Sequence, residues 1–464
     1  MPEGDVIGDV AGVEVHSICR GRAYTSGDKI QGMKSQTIWH RLAPFTAAIV
    51  TTATFAKLFV PFYLIGSTPI FVVACLIGLS LIVLAGRALA EQADSIRDVL
   101  IIIALLYCAV IASFLVHSFH RVPVTHLVGI LIFHGVFLLF GLAASHSLRA
   151  VFAVLLAMAA VYLLIVAQYT IRFGDLMRDG YLHNVFNVSV PALITTFHQN
   201  IGVSLGLSAL AGIGLAAGRM RLIAFAALPL VFWFLFHIAA RTAMVALASS
   251  FLFWAGAVLW NYSRKLATAS LVGIIALIVV AGGLFYQRAL HDTTVDAVAP
   301  DAISRTIREI QDPRPLFRLQ IWTRAINHIV TEPDKLLLGH GIGMYSIDEG
   351  FGPPNWLLQP AEGNKYYPHN LFLEVLYEAG VAGLLPVIAL TLLPLWISLS
   401  RWNKYSVADQ AAILLYVFYF VTVLVSGGFA FSYDFQFFLG LSIGVVALSR
   451  MQDRDAPSAP IVRL

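Results

Sequence analysis

Long apolar stretches separated by short polar junctions run through most of the chain. Twelve of them approach the roughly 20 residues that a membrane-spanning helix needs, at 44–65, 68–86, 99–116, 124–143, 150–171, 200–217, 221–239, 242–260, 267–287, 370–399, 407–427 and 433–449. Only Arg241 and Thr242 interrupt the stretch from 221 to 260, so its division into two segments rests on that junction. The pattern predicts an all-α polytopic membrane protein with about twelve transmembrane helices.

Two polar segments between the apolar stretches are unusually long, at 172–199 and 288–369. Loops of this length in a folded protein are often functional. Within the second segment, apolar residues recur at helical spacing between prolines, which predicts an amphipathic helix over 316–330 on the outer face of the membrane domain. We expect its apolar stripe to comprise Trp322, Ala325, Ile326 and Ile329.

The distribution of Lys and Arg predicts the orientation of the chain. If the N-terminus is cytoplasmic, every short loop on that side carries a basic residue, whereas the short loops on the opposite side carry few. We therefore expect both ends in the cytoplasm and the long loop outside. The predicted divisions are a tail, nine helices, an external loop with the amphipathic helix, three helices and a second tail, at 1–43, 44–287, 288–369, 370–449 and 450–464.

The composition agrees with a membrane protein, and the motifs that are absent argue against a metal site. Hydrophobic residues make up 59% of the 464 positions, charged residues make up 12% and the mean hydropathy is +0.80, which excludes a soluble protein of this size. None of the three cysteines lies in the long loop, and His-Glu-x-x-His, paired Cys-x-x-Cys and aspartate clusters are absent from the sequence. We expect no cleaved signal peptide, no metal, no cofactor and no nucleic-acid partner.

Two arginines occupy positions where a positive charge is energetically unfavourable. Arg241 interrupts the apolar stretch, and an arginine at the centre of a membrane span costs about 2.5–3.5 kcal/mol; the alternative is a turn residue that reaches the outer surface. Arg318 lies near the start of the loop helix, where a cation opposes the helix dipole; the alternative is a solvated loop residue. Because few carboxylates lie inside the membrane, the two cations favour a polyanionic ligand such as a lipid-linked pyrophosphate.

The junction between the long loop and the next apolar stretch carries the best candidate base. His369 has a side chain whose ordinary pKa, about 6.5, suits proton abstraction near neutral pH, although a surface or capping role would also explain one loop histidine. If a helix starts there, Asn370, Glu374 and Glu378 share one polar face. The glycines of 339–343 lack the strand, helix and lysine of a phosphate loop, so we interpret them as a tight turn.

At these residues the sequence resembles the O-antigen ligase and O-antigen polymerase superfamily. The similar pieces follow one another through the second half of the chain, and alanine replaces the usual serine at the start of the second piece. They are Phe197-His-Gln-Asn200-Ile-Gly202, Ala240-Arg-Thr-Ala243, Arg318-Leu-Gln-Ile-Trp322, Leu338-Gly-His-Gly-Ile-Gly343, and His369-Asn370 with Glu378-Ala-Gly380-Val-Ala-Gly383.

The resemblance implies a polytopic glycosyltransferase of the GT-C type in the bacterial inner membrane. Such enzymes take a glycan from undecaprenyl pyrophosphate on the periplasmic side. Arg241 and Arg318 would bind the donor pyrophosphate and take the electrostatic role of a metal, and His369 would be the general base in an inverting transfer. Supporting side chains would be Asn200, Trp322, Asn370, Glu374 and Glu378.

Several acceptors and one different class of function stay open. A ligase would transfer the glycan to a lipid A-core hydroxyl, a polymerase to another lipid-linked repeat unit, and a third variant to a protein hydroxyl. A lipid-glycan transporter would instead show repeats, broken helices and charges near the midplane. Arginines 241 and 318 on opposite membrane faces would favour the transporter.

Overall fold

The computed structural model describes a bundle of long helices. The described residues are 41–55, 76–80, 82–83, 86, 92, 95–173, 191–238, 240–291, 302–311, 318–354, 367–430 and 432–455. Within these ranges no strand occurs, and eight helical stretches are long and apolar enough to cross a membrane: Arg97–Ser118, Val124–Val161, Arg219–His237, Arg241–Tyr262, Arg264–His291, Leu371–Lys404, Val407–Val425 and Tyr433–Asp453. The predicted all-α polytopic membrane class is therefore confirmed.

The α-helices after residue 96 are labelled here in chain order; residues 41–55 and 76–80 are also helical. The labels are α1 (Arg97–Ser113), α2 (Val124–Ala144), α3 (Leu148–Phe173), α4 (Pro191–Leu215), α5 (Arg219–Ala226), α6 (Leu228–His237), α7 (Arg241–Tyr262), α8 (Arg264–His291), α9 (Ala302–Gln311), α10 (Arg318–Thr331), α11 (Met344–Asp348), α12 (Leu371–Arg401), α13 (Val407–Val425) and α14 (Tyr433–Asp455).

Some boundaries differ from those predicted. The segment predicted at 221–239 consists of two short helices, α5 and α6, that meet at Ala227. A proline near the start of α6 suits a new helix, because its missing N–H is not needed in the first turn. The segments predicted at 44–65 and 68–86 lie partly outside the described residues, so the expected total of twelve stays a prediction.

The buried centre of the bundle lies between α2, α4, α7, α13 and α14. Helices α2 and α14 approach each other at paired glycines: a Cβ on Gly141 would collide with the backbone at Phe437, and a Cβ on Gly440 would collide with the backbone at Leu138. Small residues allow such close packing of membrane helices, where dispersion contacts replace the hydrophobic effect as the driving force. This contact fixes α14, and with it the segment that joins α13 to α14.

Helix α12 is broken inside its length at Gly380, where φ is 63° and ψ is −164°. Only glycine adopts this backbone conformation readily. A turn formed by residues 336–343, named the 336–343 turn below, docks into the break. Four backbone hydrogen bonds join the two segments: Val381 N to Leu336 O at 2.9 Å, Ala382 N to Leu337 O at 3.0 Å, His340 N to Tyr377 O at 2.7 Å and Gly341 N to Glu378 O at 3.1 Å.

The break therefore explains two of the motifs together. The glycines of 339–343 form the predicted tight turn, with positive φ at Gly339, Gly341 and Gly343. The backbone groups that the helix break leaves without intrahelical partners bond to that turn. Backbone groups in an apolar setting need such hydrogen-bond partners. The glycine-rich segment is thus a structural partner of α12.

Candidate functional site

His369 lies directly before α12 in an unusual backbone conformation. Among the described residues it is the non-glycine residue with a positive φ, 56°. Such conformations are uncommon for residues with a side chain and concentrate at functional sites, where the surroundings hold them. The ring of Tyr367 lies beside the imidazole, with 4.4 Å between ring centroids.

Side chains on both sides of His369 fix the adjoining backbone. Trp322 Nε1 donates to the carbonyl of Pro368 at 2.8 Å, so the loop helix α10 holds the residue before the histidine. Asn370 caps α12, because its side-chain oxygen accepts from Leu373 N at 2.9 Å. Its Nδ2 also donates to the carbonyl of Leu424 at 2.8 Å, which connects this junction to the end of α13.

Arg318 is the first residue of α10 and reaches the same end of α13. Its Nη2 donates to Ser426 Oγ at 2.7 Å. The helix itself is close to the predicted 316–330, but its apolar stripe is rotated. Ile321 and Ala325 are buried with Trp322 and Ile329 beside them, whereas Ile326, predicted on the stripe, is exposed.

Arg241 is the first residue of α7, and its Nη1 donates to Thr306 Oγ1 of α9 at 3.1 Å. Both arginines therefore begin a helix, where the unpaired N–H groups and the helix dipole favour an anion. Asn200, in α4, is half-buried near this point. Two residues further on, Gly202 approaches α7 so closely that a Cβ there would collide with Ala240.

The two arginines lie at the same end of the bundle. Helices α7 and α13 are antiparallel, because Ser250 Oγ donates to Leu414 O at 3.2 Å while Phe253, further along α7, contacts Trp402, which precedes α13. From the first contact, Arg241 is about 13 Å along α7 and Ser426 is about 18 Å along α13, at 1.5 Å per residue. Both positions are therefore near one face of the membrane domain, and Arg318 contacts the second of them.

The two glutamates of α12 have separate backbone partners, and their shared polar face with Asn370 stays a prediction. The Glu374 carboxylate accepts from the backbone N–H groups of Phe429 and Ala430. Glu378 precedes the helix break, and its carboxyl group faces the backbone N–H groups of Gly343 and Tyr345.

Tyr367 is an ionisable group whose ring lies beside that of His369. Burial raises the pKa of the Tyr367 phenol well above its ordinary value, and the negative charge of Glu374 adds to that shift. The hydroxyl therefore stays protonated at neutral pH, so it can donate a hydrogen bond but is a poor base. The histidine is the better base of the pair.

Sequence reasoning missed Thr306, Ser426 and the segment after α13. The run Ser426-Gly427-Gly428 at the end of an apolar stretch was the available signal, since glycines there mark a tight connection. Within the described residues, no three His, Cys, Asp or Glu side chains form a group that could hold a metal ion. The expectation of metal-independent chemistry stays a prediction.

Comparison with known families gives a match over part of the chain. Residues 223–388 match the family model described as O-antigen ligase. The match begins in α5 and includes Arg241, Arg318, His369, Glu374 and Glu378; Asn200 lies before it. No curated protein compared with the chain matches it. The apolar helices and the match support a multi-pass membrane protein with an activity of the O-antigen ligase or polymerase type. Residues 223–388 therefore carry an O-antigen ligase domain, which confirms the resemblance over that part of the chain.

Proposed function

We propose that the protein is an O-antigen-ligase-like glycosyltransferase that moves a glycan from undecaprenyl pyrophosphate to a lipid A-core hydroxyl. The reaction takes place at the periplasmic face of the inner membrane, and both chain termini are cytoplasmic. One observation carries the proposal: Arg241, Arg318 and the His369 junction lie toward the same end of the helix bundle. Arg318 and Asn370 are bound to positions only two residues apart, Ser426 and Leu424.

The proposed step is a direct displacement. His369 takes the proton of the acceptor hydroxyl, and the acceptor oxygen attacks the anomeric carbon of the glycan. The bond between that carbon and the phosphate oxygen breaks, and undecaprenyl pyrophosphate leaves with the electron pair. Arg241 and Arg318 stabilise the charge that grows on the pyrophosphate, a role that fixed cations fill well in a site with little water. One displacement inverts the anomeric configuration, and no metal is required.

A polymerase of the same fold is the close alternative. It would use the same donor site and base, and its acceptor would be a second lipid-linked repeat unit. A third variant, distinct from both, would transfer the glycan to a protein hydroxyl. A transporter fits less well. Helix α12 is broken, as that class predicts, but the break is filled by the 336–343 turn. The arginines lie at the same end of the bundle, which favours an enzyme.

The test uses the purified full-length protein with undecaprenyl-pyrophosphate-linked glycan and lipid A-core acceptor. We expect His369→Ala to lower kcat by at least the roughly 10²–10⁴-fold typical of a general base, with donor binding retained. Arg241→Ala and Arg318→Ala are expected to raise the KM for the donor. Matched controls are His120→Ala, an exposed histidine, and Arg324→Ala, which lies on α10 and pairs with Glu349 at 3.2 Å.

Three outcomes would contradict parts of the proposal. Substantial transfer by His369→Ala would exclude the histidine as the base. Unchanged donor affinity and rate in both arginine variants would remove the donor-site assignment. Activity that is lost with a chelator and restored by a divalent cation would contradict metal independence. A ladder of extended glycans made from lipid-linked repeat units alone would identify the polymerase instead.

A further inference from the structure

Glu374 is a buried carboxylate that the proposed reaction leaves without a role. It is 1% exposed and lies one helical turn after the cap of α12. Its Oε2 accepts from Phe429 N at 2.8 Å and its Oε1 accepts from Ala430 N at 3.0 Å. Consecutive backbone N–H groups that converge on a carboxylate make strong, charge-assisted bonds. Glu374 thus holds a piece of backbone 55 residues away in the sequence.

That backbone belongs to residues 424–430, named the 424–430 loop below, which comprise the last two residues of α13 and the start of its connection to α14. The same loop accepts a hydrogen bond from Asn370 at Leu424 O, 2.8 Å, and one from Arg318 at Ser426 Oγ, 2.7 Å. Ser426 and Phe429 are three residues apart, so even extended backbone would separate them by only about 10–11 Å. A displacement of the backbone at Phe429 is therefore expected to move Ser426 as well.

The loop also packs against the bundle, which holds in place the backbone N–H groups that Glu374 binds. The ring of Phe429 meets the ring of His134 of α2 edge to face, with 4.6 Å between centroids. Phe429, Ala430 and His134 are all buried. Closely packed interiors transmit small shifts because they have little room to absorb them.

We propose that Glu374 is a positioning residue that sets the place of Arg318 relative to His369 through the 424–430 loop. This inference rests on the proposed function, in which Arg318 binds the donor. One end of the link is the junction where α12 begins, five residues before Glu374, and the other end is the arginine bonded to Ser426. The carboxylate fixes the distance between the base and the cation without touching substrate.

The decisive variant is Glu374→Gln, which replaces one acceptor oxygen with an NH2 group that faces a backbone N–H. We expect the KM for the lipid-linked donor to rise about tenfold, the effect of losing one charge-assisted bond in a buried site, with the KM for the acceptor unchanged. Glu374→Asp keeps both oxygens and should recover part of the loss. Ser426→Ala removes only the hydroxyl that accepts from Arg318 and should raise the donor KM in the same way.

Asp409→Asn is a matched control, because Asp409 also accepts a backbone N–H, from Ser406 at 3.0 Å, at the opposite end of α13. It should leave both KM values as in the wild type. Hydrogen–deuterium exchange of a peptide covering the 424–430 loop needs no substrate. We expect faster exchange there in Glu374→Gln and unchanged exchange in Asp409→Asn.

The outcomes separate this inference from the proposed function. Unchanged exchange of the loop in Glu374→Gln overturns the inference, as does faster exchange with an unchanged donor KM in both Glu374→Gln and Ser426→Ala. If the wild-type protein shows no glycan transfer, the proposed function is wrong. The inference is then decided by the binding of inorganic pyrophosphate, measured by thermal shift. Binding weakened by Glu374→Gln and Arg318→Ala but not by Asp409→Asn supports it, and equal binding by all four proteins overturns it.

Discussion

We predict that the substitution Gly380→Ala, at the break in α12, destabilises the docking of the 336–343 turn. Gly380 has φ 63° and ψ −164°, and a Cβ there would collide with the carbonyl of Leu337 and the N–H of Gly339. The substitution must either strain the backbone or push the 336–343 turn out of the break. Because the collision is with backbone, no side-chain rotation can relieve it.

The size of the effect follows from two contributions. A residue with a side chain in this backbone region costs of order 1–3 kcal/mol. Displacing the turn also weakens the bonds from Val381 N and Ala382 N, worth about 0.5–1.5 kcal/mol each. The sum is about 2–6 kcal/mol for docking of the 336–343 turn. Since 1.4 kcal/mol is tenfold in an equilibrium constant, even the lower end raises the undocked fraction about thirtyfold.

Hydrogen–deuterium exchange of peptides covering 336–343 and 377–382 measures this fraction directly. The matched control is Gly256→Ala in α7, where a Cβ would meet open space, and where alanine favours the helix. We expect fast exchange at the break in Gly380→Ala and wild-type exchange in Gly256→Ala. If the two variants exchange alike, the docking of the turn into α12 does not depend on this glycine, and the explanation of the shared motifs fails.

Two further predictions concern the residues around the site. Trp322→Phe keeps an aromatic side chain but removes the hydrogen bond to the Pro368 carbonyl. We expect kcat to fall, by up to about tenfold for one bond, with the donor KM unchanged; an unchanged kcat would mean that this bond does not position His369. Burial lowers the pKa of His340, which stacks on Tyr377 at 4.3 Å. Its folded pKa is below its unfolded value of about 6.5, so its contribution to stability is present above that pH and is lost as pH falls below it. His340→Phe should remove this part of the pH dependence in thermal unfolding at pH 7.5 and 5.5, and an identical pH dependence in both proteins would refute it.

For the loop helix α10, hydrophobic periodicity predicted the position of the helix but not which of its faces is buried. The sequence predicts a helix over 316–330, and the structure has one at Arg318–Thr331. The predicted stripe included Ile326, which is exposed, and omitted Ile321, which is buried. Apolar residues lie on both edges of the stripe, so spacing alone does not define which edge faces a partner. The partner residues, Tyr345 and Tyr377, come from later parts of the chain.

Local patterns of residues were enough to predict the membrane class, most of the helices and the motifs. In lipid a helix satisfies its own backbone hydrogen bonds, so its position depends on a local run of apolar residues. The contacts between side chains from distant parts of the chain became visible only in the folded structure. Arg241 bonds Thr306 across 65 residues, Glu374 holds Phe429 across 55 and Arg318 reaches Ser426 across 108. Such contacts depend on how helices pack, and no local pattern of residues encodes that packing.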